Sequence, residues 1–398
     1  MKKILFVMNT MGRAGAEKAL LELLKRIDKT RYEVSLYVLT GQGELINDAP
    51  PGVRLLNERP VAVSVHSGEG RRILAGTCVK SLFKRLNIIR LLPYFVKNTI
   101  KMLRSGSVMP DKLLWRAVSD GVEIPGMRYD LAVAFIEGAA AYFVADHVQA
   151  VKKAAFIHVD YRKAGYTRSL DKDCYLKFDK VFGVSGEVVD VFKGIYPELC
   201  DRVEIFHNLI DAEAIKKKAA EGTGFTDGYD GVRLLTVGRL MAQKSFETSI
   251  KACYLLKKRG ENVRWYVLGE GDQREKLEAL IKKLGLQENF ILCGSVDNPY
   301  PYIKEADIYV HCSRYEGKSI AVQEAQVLGK PIIVSDCSGN REQVIGGEDG
   351  LVSRFDPKSI AGKIYGLIHD DNLRKHISEK AGLKNNGEGE KIDRLLEI

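Results

Sequence analysis

The sequence predicts an α/β protein made of two parallel-sheet domains with helices on both faces, and three observations carry that prediction. The 398 residues exceed what one hydrophobic core usually holds. Short aliphatic runs alternate with amphipathic stretches of helical period along the chain, the pattern of strands joined through covering helices. In the second half, several of these runs lead directly into glycine turns, as in LLTVGR and WYVLGEG.

The elements follow in order. Ile4–Met8 and Val34–Leu39 read as strands flanking a helix that begins near Gly15 and carries Leu20, Leu23, Leu24 and Ile27 on one face. Further strands are expected at Leu131–Ile136, Ala154–Ile157, Val181–Val184 and Val203–Phe206. The domain boundary falls near Asn208, giving a first domain over 1–208 with a basic helical insertion at about 60–125, and a second over 209–398 with C-terminal helices. Glu221–Gly231, rich in glycine and polar residues, reads as a surface loop of the second domain. Strands are expected again at 234–237, 265–268 and 307–313.

The stretch Tyr315–Asp336, YEGKSIAVQEAQVLGKPIIVSD, joins a loop, a helix and a strand. Ser319 is the expected cap of a helix over Ile320–Leu328, Gly329 closes it, Pro331 blocks its continuation, and Ile332–Val334 opens a strand. Glu316 lies just before the helix, where the amides of Gly317, Lys318, Ser319 and Ile320 are expected to form an anion site. Glu324 lies about one and a half turns further on. An anion held there would have a carboxylate on either side, which suits a nucleotide sugar. Arg239 and Lys244 follow a strand end five residues apart, where fixed cations would stabilise a departing diphosphate.

Together these residues resemble the C-terminal half of the retaining glycosyltransferases of family 4, which have the two-domain GT-B fold. That family's order of elements is VGRL with a lysine five after the arginine, a glycine turn after the next strand, ADIYV leading to EG, two glutamates seven residues apart, and GKPII. All occur here in order, strongly over Val181–Val352 and moderately over the first forty residues. One departure is Glu316-Gly317-Lys318-Ser319, where the family usually has an aromatic residue at the lysine; this form is associated with a subgroup that builds bacterial surface polysaccharides.

The resemblance implies two Rossmann-like domains facing across a cleft and a sugar moved from a nucleotide donor, expected to be a UDP-sugar, to a glycan acceptor, expected to be lipid-linked. It implies that Glu316 acts at the donor sugar and that Glu324 binds the ribose. Arg239, Lys244, Gly317, Lys318 and Ser319 are then the diphosphate-binding set. His158, after a strand end and followed by Asp160, is the expected first-domain residue at the sugar. Gly12, Arg13 and Gly15, in the turn MGRAGAE after the first strand, are expected to face donor or acceptor; alternatively, they are only a structural turn. No cofactor and no metal are expected, because Arg239 and Lys244 neutralise the phosphates. The one DxD, Asp171-Lys172-Asp173, stands at the expected start of a charged helix with a lysine unsuited to a metal site.

Composition narrows the partners. The seven cysteines are scattered without CxxC spacing, as core residues of a reducing cytoplasm would be, and the N-terminal MKKILFVMNTMG reads as a first strand rather than a leader. Of the net charge of +9, a large part lies in Arg71–Arg104, which holds nine Lys or Arg and no acid, interleaved with apolar residues and interrupted as a helix by Pro93. Such a segment fits an anionic membrane surface, placing the protein on the inner face of the cell membrane; the plainer reading is an insertion packed on its own domain. Nucleic acid is not expected, for want of a recognition motif or regular stacking aromatics. Two other functions compete with glycosyl transfer: a hydrolase or epimerase of nucleotide sugars on the same fold, and a non-catalytic glycan- or nucleotide-binding protein.

Overall fold

The computed structural model describes residues 1–104, 106, 109–123, 126–384 and 392–398, the side chain of residue 85 excepted. The chain divides into two compact units, Met1–Asn208 with the described part of Glu390–Ile398, and Leu209–Gly389.

The first unit runs β1 (Lys2–Met8), α1 (Gly15–Arg26), β2 (Tyr32–Val38), β3 (Val53–Leu55), α2 (Gly68–Phe83), α3 (Asn87–Arg104), α4 (Pro110–Gly121), β4 (Tyr129–Ala134), α5 (Ala139–His147), β5 (Ala150–Ile157), α6 (Arg168–Asp171), β6 (Lys180–Gly183), α7 (Gly186–Ile195) and β7 (Val203–Ile205). Its strands form one sheet in the order β3-β2-β1-β4-β5-β6-β7, every pair parallel. The central strands are apolar nearly throughout, because helices cover both faces of a parallel sheet.

The second unit runs α8 (Ala212–Ala219), β8 (Val232–Val237), α9 (Phe246–Lys258), β9 (Val263–Leu268), α10 (Arg274–Lys283), β10 (Phe290–Gly294), α11 (Tyr300–Glu305), β11 (Ile308–His311), α12 (Ile320–Val327), β12 (Ile332–Ser335), α13 (Asn340–Gln343), β13 (Leu351–Ser353), α14 (Pro357–His369) and α15 (Asp371–Gly382). Its six parallel strands are ordered β10-β9-β8-β11-β12-β13. Two apolar clusters fill it, one centred on Trp265, Phe290 and Ile364, the other on Tyr266, Tyr309 and Val322. Both units are thus Rossmann-like. In each, strand order reverses once, between β1 and β4 and between β8 and β11, and open parallel sheets bind ligands beyond the carboxyl ends of the strands at that reversal.

Three features differ from the sequence expectation. The last helix, α16 (Asp393–Leu396), belongs to the first unit, not the second: Leu395 and Leu396 are buried, and Arg394 donates to Glu204 in β7 at 2.9 Å. Pro93 does not interrupt a helix, since α3 runs through it. A proline there leaves only the Ile89 carbonyl without its helical donor, and Ile89 faces solvent, where water can supply one. The break falls instead at Leu86, which joins α2 to α3 with φ 56°. Finally, only Cys174, Cys253, Cys312 and Cys337 are buried; Cys78 is half-buried and Cys200 and Cys293 are exposed, all as free thiols.

Asp171 and Asp173 are engaged elsewhere than in a paired site: Asp171 is the last residue of α6, and Asp173 stands at the start of a short 3-10 turn, Cys174–Lys177. Asp173 is exposed and ion-paired with Arg168 at 2.6 Å, whereas Asp171 is fully buried and accepts from Tyr142 and Tyr196, each at 3.0 Å. Burial pushes the Asp171 carboxyl up to about 7 against those hydrogen bonds. Because this folded value lies above the ordinary carboxylate value, the folded chain holds a proton that the unfolded chain releases between about pH 4 and 7. Stability therefore falls as pH rises through that window. Unfolding with urea between pH 5 and 8 is expected to show Asp171→Asn losing about 1 kcal/mol or more of this slope relative to the parent; equal slopes would exclude Asp171 as its source.

Candidate active site

In the second unit the reversal point brings the ends of β8 and β11 together. After β8 the chain turns at Gly238, passes the exposed Arg239, and reaches Lys244 in a short 3-10 turn, Ala242–Lys244. The glycine turn after β9 presses against this one: a Cβ on Gly269 would overlap the Gly238 carbonyl, so WYVLGEGD needs glycine for close backbone approach. The loop after β11 interlocks with the same turn, Arg314 N donating to Gln243 O at 2.9 Å and Gln243 Nε2 to Tyr315 O at 2.8 Å.

The result is a buried polar cluster. Lys244 Nζ lies 2.6 Å from Glu316 Oε1, and His311 Nε2, at the end of β11, lies 3.1 Å from the same oxygen. His311 Nε2 is also 3.4 Å from Lys244 Nζ and 3.3 Å from Ser313 Oγ. Burial alone would push the Glu316 carboxyl up, but the charge of Lys244 and the hydrogen bond from His311 outweigh it and hold Glu316 well below the usual carboxylate range. His311 is pushed down by burial and by Lys244, only partly opposed by Glu316, so it is neutral near pH 7 and donates from Nε2. Its Nδ1 is buried without a partner. The Arg239 side chain, by contrast, is exposed and has no hydrogen-bond or ion-pair partner among the described residues.

Glu316 and α12 are braced from behind. Glu316 N donates to Ser338 O at 3.1 Å, and a Cβ on Gly339, at φ 80°, would overlap the Gly317 carbonyl. Ser319 stands at the helix start, as the sequence indicates, but its side chain caps nothing. Instead, the Gln343 amide grips the Ser319 backbone on both sides, accepting from N at 2.7 Å and donating to O at 2.8 Å. The expected anion cradle thus has its Ser319 amide already committed. Lys318 is half-buried. Glu324, in the middle of α12, is buried and accepts from Tyr300 OH at 3.0 Å.

In the first unit the reversal point lies between the ends of β1 and β4. Asn9 stitches them, donating to Glu137 O at 3.1 Å and accepting from Ala140 N at 2.7 Å. The Glu137 carboxylate is buried and accepts from His158 N at 2.9 Å. His158 follows β5 and packs its ring on Phe135 and Phe156. Burial lowers it to about 4, so the ring is neutral near pH 7, and Nε2 is buried without a partner. A neutral imidazole carries one donor and one acceptor nitrogen, so the unpartnered Nε2 can meet a hydroxyl in either role. Gly12 and Gly15 flank Arg13, which is exposed, and the groups nearest Gly12 are the carboxylates of Glu44 and Glu17.

The sequence reading missed three residues of these clusters. His311 read as one more residue of an apolar strand, Gln343 gave no signal at all, and Glu137 was marked only by standing at a strand end before glycine.

Residues 229–383 match the family model described as Glycosyl transferases group 1. The second unit belongs to that family. Among curated relatives, the chain is 32% identical over 189 residues to the N-acetylgalactosamine-N,N'-diacetylbacillosaminyl-diphospho-undecaprenol 4-alpha-N-acetylgalactosaminyltransferase of Campylobacter jejuni, covering 47% of this chain and 49% of that protein. It is 30% identical over 143 residues to the capsular polysaccharide biosynthesis glycosyltransferase CapM of Staphylococcus aureus, covering 35% and 38%. The matches thus span about half the length of these relatives or less. Among solved structures, Anabaena Alr3699/HepE in complex with UDP-glucose superposes with a TM-score of 0.66 at 16% identity, covering 96% of this chain and 94% of that one. A point mutant of S. aureus TarM in complex with Fondaparinux, alpha-GlcNAc-glycerol and UDP gives 0.65 at 13%, covering 100% and 98%. At these identities the likeness is one of fold, and the fold is GT-B.

Proposed function

We propose that the protein is a retaining glycosyltransferase of family 4 that moves a sugar from a nucleoside-diphosphate donor, a UDP-sugar, to a lipid-linked glycan during bacterial surface polysaccharide synthesis, on the cytoplasmic face of the membrane. The observation that carries this reading is the pairing of Lys244 with Glu316 at the strand-order reversal of a group 1 domain, with the unpartnered Arg239 on the same turn. The names of the relatives support the acceptor class.

In this reading Arg239 and Lys244 take the diphosphate, and Lys244 shares its charge between Glu316 and the phosphate. As the bond from the anomeric carbon to the phosphate oxygen breaks, the electron pair leaves with the nucleoside diphosphate. Those cations stabilise it more than the ground state. Glu316, kept anionic by Lys244 and oriented by His311, faces the positive charge that develops at the sugar. The acceptor hydroxyl oxygen bonds the same carbon on the face the leaving group vacates, and its proton passes to the departing phosphate oxygen. His158 Nε2 meets a sugar hydroxyl, and Glu324 accepts from the ribose.

Thermal stabilisation by a panel of nucleotide sugars, followed by acceptor trials with the donor that stabilises most, tests the assignment. The expected result is stabilisation by a UDP-sugar and its transfer to a lipid-linked glycan. Product formed without an acceptor would point to a hydrolase or epimerase. Activity is expected to survive EDTA, because fixed cations neutralise the diphosphate; a strict requirement for added Mn²⁺ or Mg²⁺ would overturn that part.

A further inference from the structure

Exposed apolar side chains are unevenly distributed in this chain. Of the sixteen large ones among the described residues, nine fall between Val79 and Leu103. They include Phe83 and Leu86 at the corner between α2 and α3, and Ile89, Leu92, Val96, Ile100 and Leu103 along α3. Ile89 is 66% exposed, Leu92 57% and Leu103 63%. The spacing of three, four, four and three residues keeps these five on one stripe of the helix.

This stripe is not the face that holds α3 in place. Leu91, Tyr94, Asn98 and Met102 are buried on the opposite side, where Tyr94 and Met102 pack with Leu113 and Leu170, and Tyr94 OH donates to Leu170 O at 3.2 Å. The helix is therefore apolar on two faces and uses only one of them within its own unit. The plainer expectation, an insertion whose apolar face is spent on its own domain, accounts for half of what is present.

Charge borders the free stripe along one edge. Arg90, Lys97, Lys101 and Arg104 recur at helical spacing about a third of a turn from it, and Lys80 and Lys84 are exposed next to Phe83. Arg90 is tied to Asp120 at 2.9 Å. The exposed Arg71, Arg72, Lys80, Lys84, Lys97, Lys101 and Arg104 make no ion pair among the described residues, and the whole of 71–104 contains no acid. No described helix is long and apolar enough to cross a bilayer. An apolar stripe with an unneutralised basic border fits a surface that offers hydrocarbon just beneath a layer of negative charge.

We infer that the outer face of α3, with the Phe83–Leu86 corner, lies in the headgroup region of an anionic lipid bilayer, the stripe inserted and the basic edge at the phosphates. The left-handed backbone at Leu86, seldom adopted by a branched residue, turns Phe83 and Leu86 out at the start of that stripe. Binding then has two parts. The Coulombic part weakens as salt shortens the screening length, while the apolar part persists. This deepens the lipid-linked acceptor proposed above without depending on glycosyl transfer, because it is measured with no donor present.

The test is partitioning of the full chain onto vesicles, either neutral or containing acidic lipid, across a salt series. The parent is expected to bind acidic vesicles strongly, neutral ones weakly, and to keep a residual bound fraction at high salt. The triple variant Ile89→Ser, Leu92→Ser, Val96→Ser removes exposed side chains only. It is expected to bind about 10²-fold more weakly and to lose the salt-resistant fraction. Replacing Lys80, Lys84, Lys97 and Lys101 with glutamine is expected to lower binding to acidic vesicles about fivefold per charge and to leave binding to neutral ones unchanged. Both variants are expected to retain the parent's thermal stabilisation by UDP, which separates failure here from failure of the donor assignment. Equal partitioning of parent and triple variant would overturn the inference. So would a parent that self-associates in sedimentation while the triple variant does not, since the stripe would then be an interface between two copies.

Discussion

Replacing Lys244 with alanine is expected to lower turnover by about 10²-fold or more, the scale for losing one charge contact to a developing anion, and to destabilise the fold as well. Two roles meet on this side chain. Its ammonium is the nearest cation to Glu316, which is only 6% exposed, so removing it leaves a buried carboxylate without its cation. Breaking a buried pair from one side costs on the order of 3 kcal/mol. Arg239→Ala is expected to match the loss of turnover without the loss of stability, because the Arg239 side chain is exposed and bonds no described residue. The double variant Lys244→Ala, Glu316→Gln separates the two effects: removing the orphaned charge is expected to restore most of the stability and none of the activity. Steady-state kinetics and urea unfolding on the four proteins read both quantities. Near-parental turnover in both single variants would remove the diphosphate assignment, and equal unfolding midpoints for Lys244→Ala and parent would mean that the ion pair contributes no net stability.

The sequence made the strands legible because parallel strands buried on both faces read as continuous apolar runs, and the glycines after β8 and β9 marked the turns that let two loops meet. It therefore located Arg239, Lys244, Glu316 and Glu324 on the right turns and helix. The partner of Lys244 was not legible, because the two residues are 72 apart in the chain and only the pairing of β8 with β11 brings them together. His311 was hidden by its company: in DIYVHCS a histidine at the end of an apolar run looks like strand filler, and its role depends on which oxygen it faces. The serine cap failed for a similar reason. Local spacing allowed Ser319 to cap α12, but Gln343, reached through β12 and α13, offers the backbone both a donor and an acceptor and displaces it. On α3 the periodicity gave the helix and its charge, whereas the division into an inner and an outer apolar face needed the packing of α4 and α6 against it.

Glu316→Gln and Glu324→Gln are expected to fail in different ways, although both remove one buried carboxylate from neighbouring positions of the same loop and helix. Glu316 is held ionised by Lys244 and His311 despite its burial, an arrangement that serves a group needed as an anion when positive charge appears beside it. The glutamine variant keeps the shape and a hydrogen-bond acceptor for Lys244 but no charge. It is expected to lower kcat by about 10²-fold while donor affinity changes little, since the lost interaction grows only as the transition state forms. Glu324 instead meets a neutral hydroxyl, accepting from Tyr300 OH at 3.0 Å. Its glutamine variant can still accept from Tyr300, so the fold is expected to hold. What it loses is a charged acceptor for the ribose diol, worth about tenfold in affinity or more for both the sugar nucleotide and the free nucleotide. Calorimetric titration with UDP separates the two, because UDP carries the ribose and no sugar. A large loss of UDP affinity in Glu316→Gln, with an unchanged affinity and a collapsed kcat in Glu324→Gln, would mean that the two carboxylates have the opposite roles.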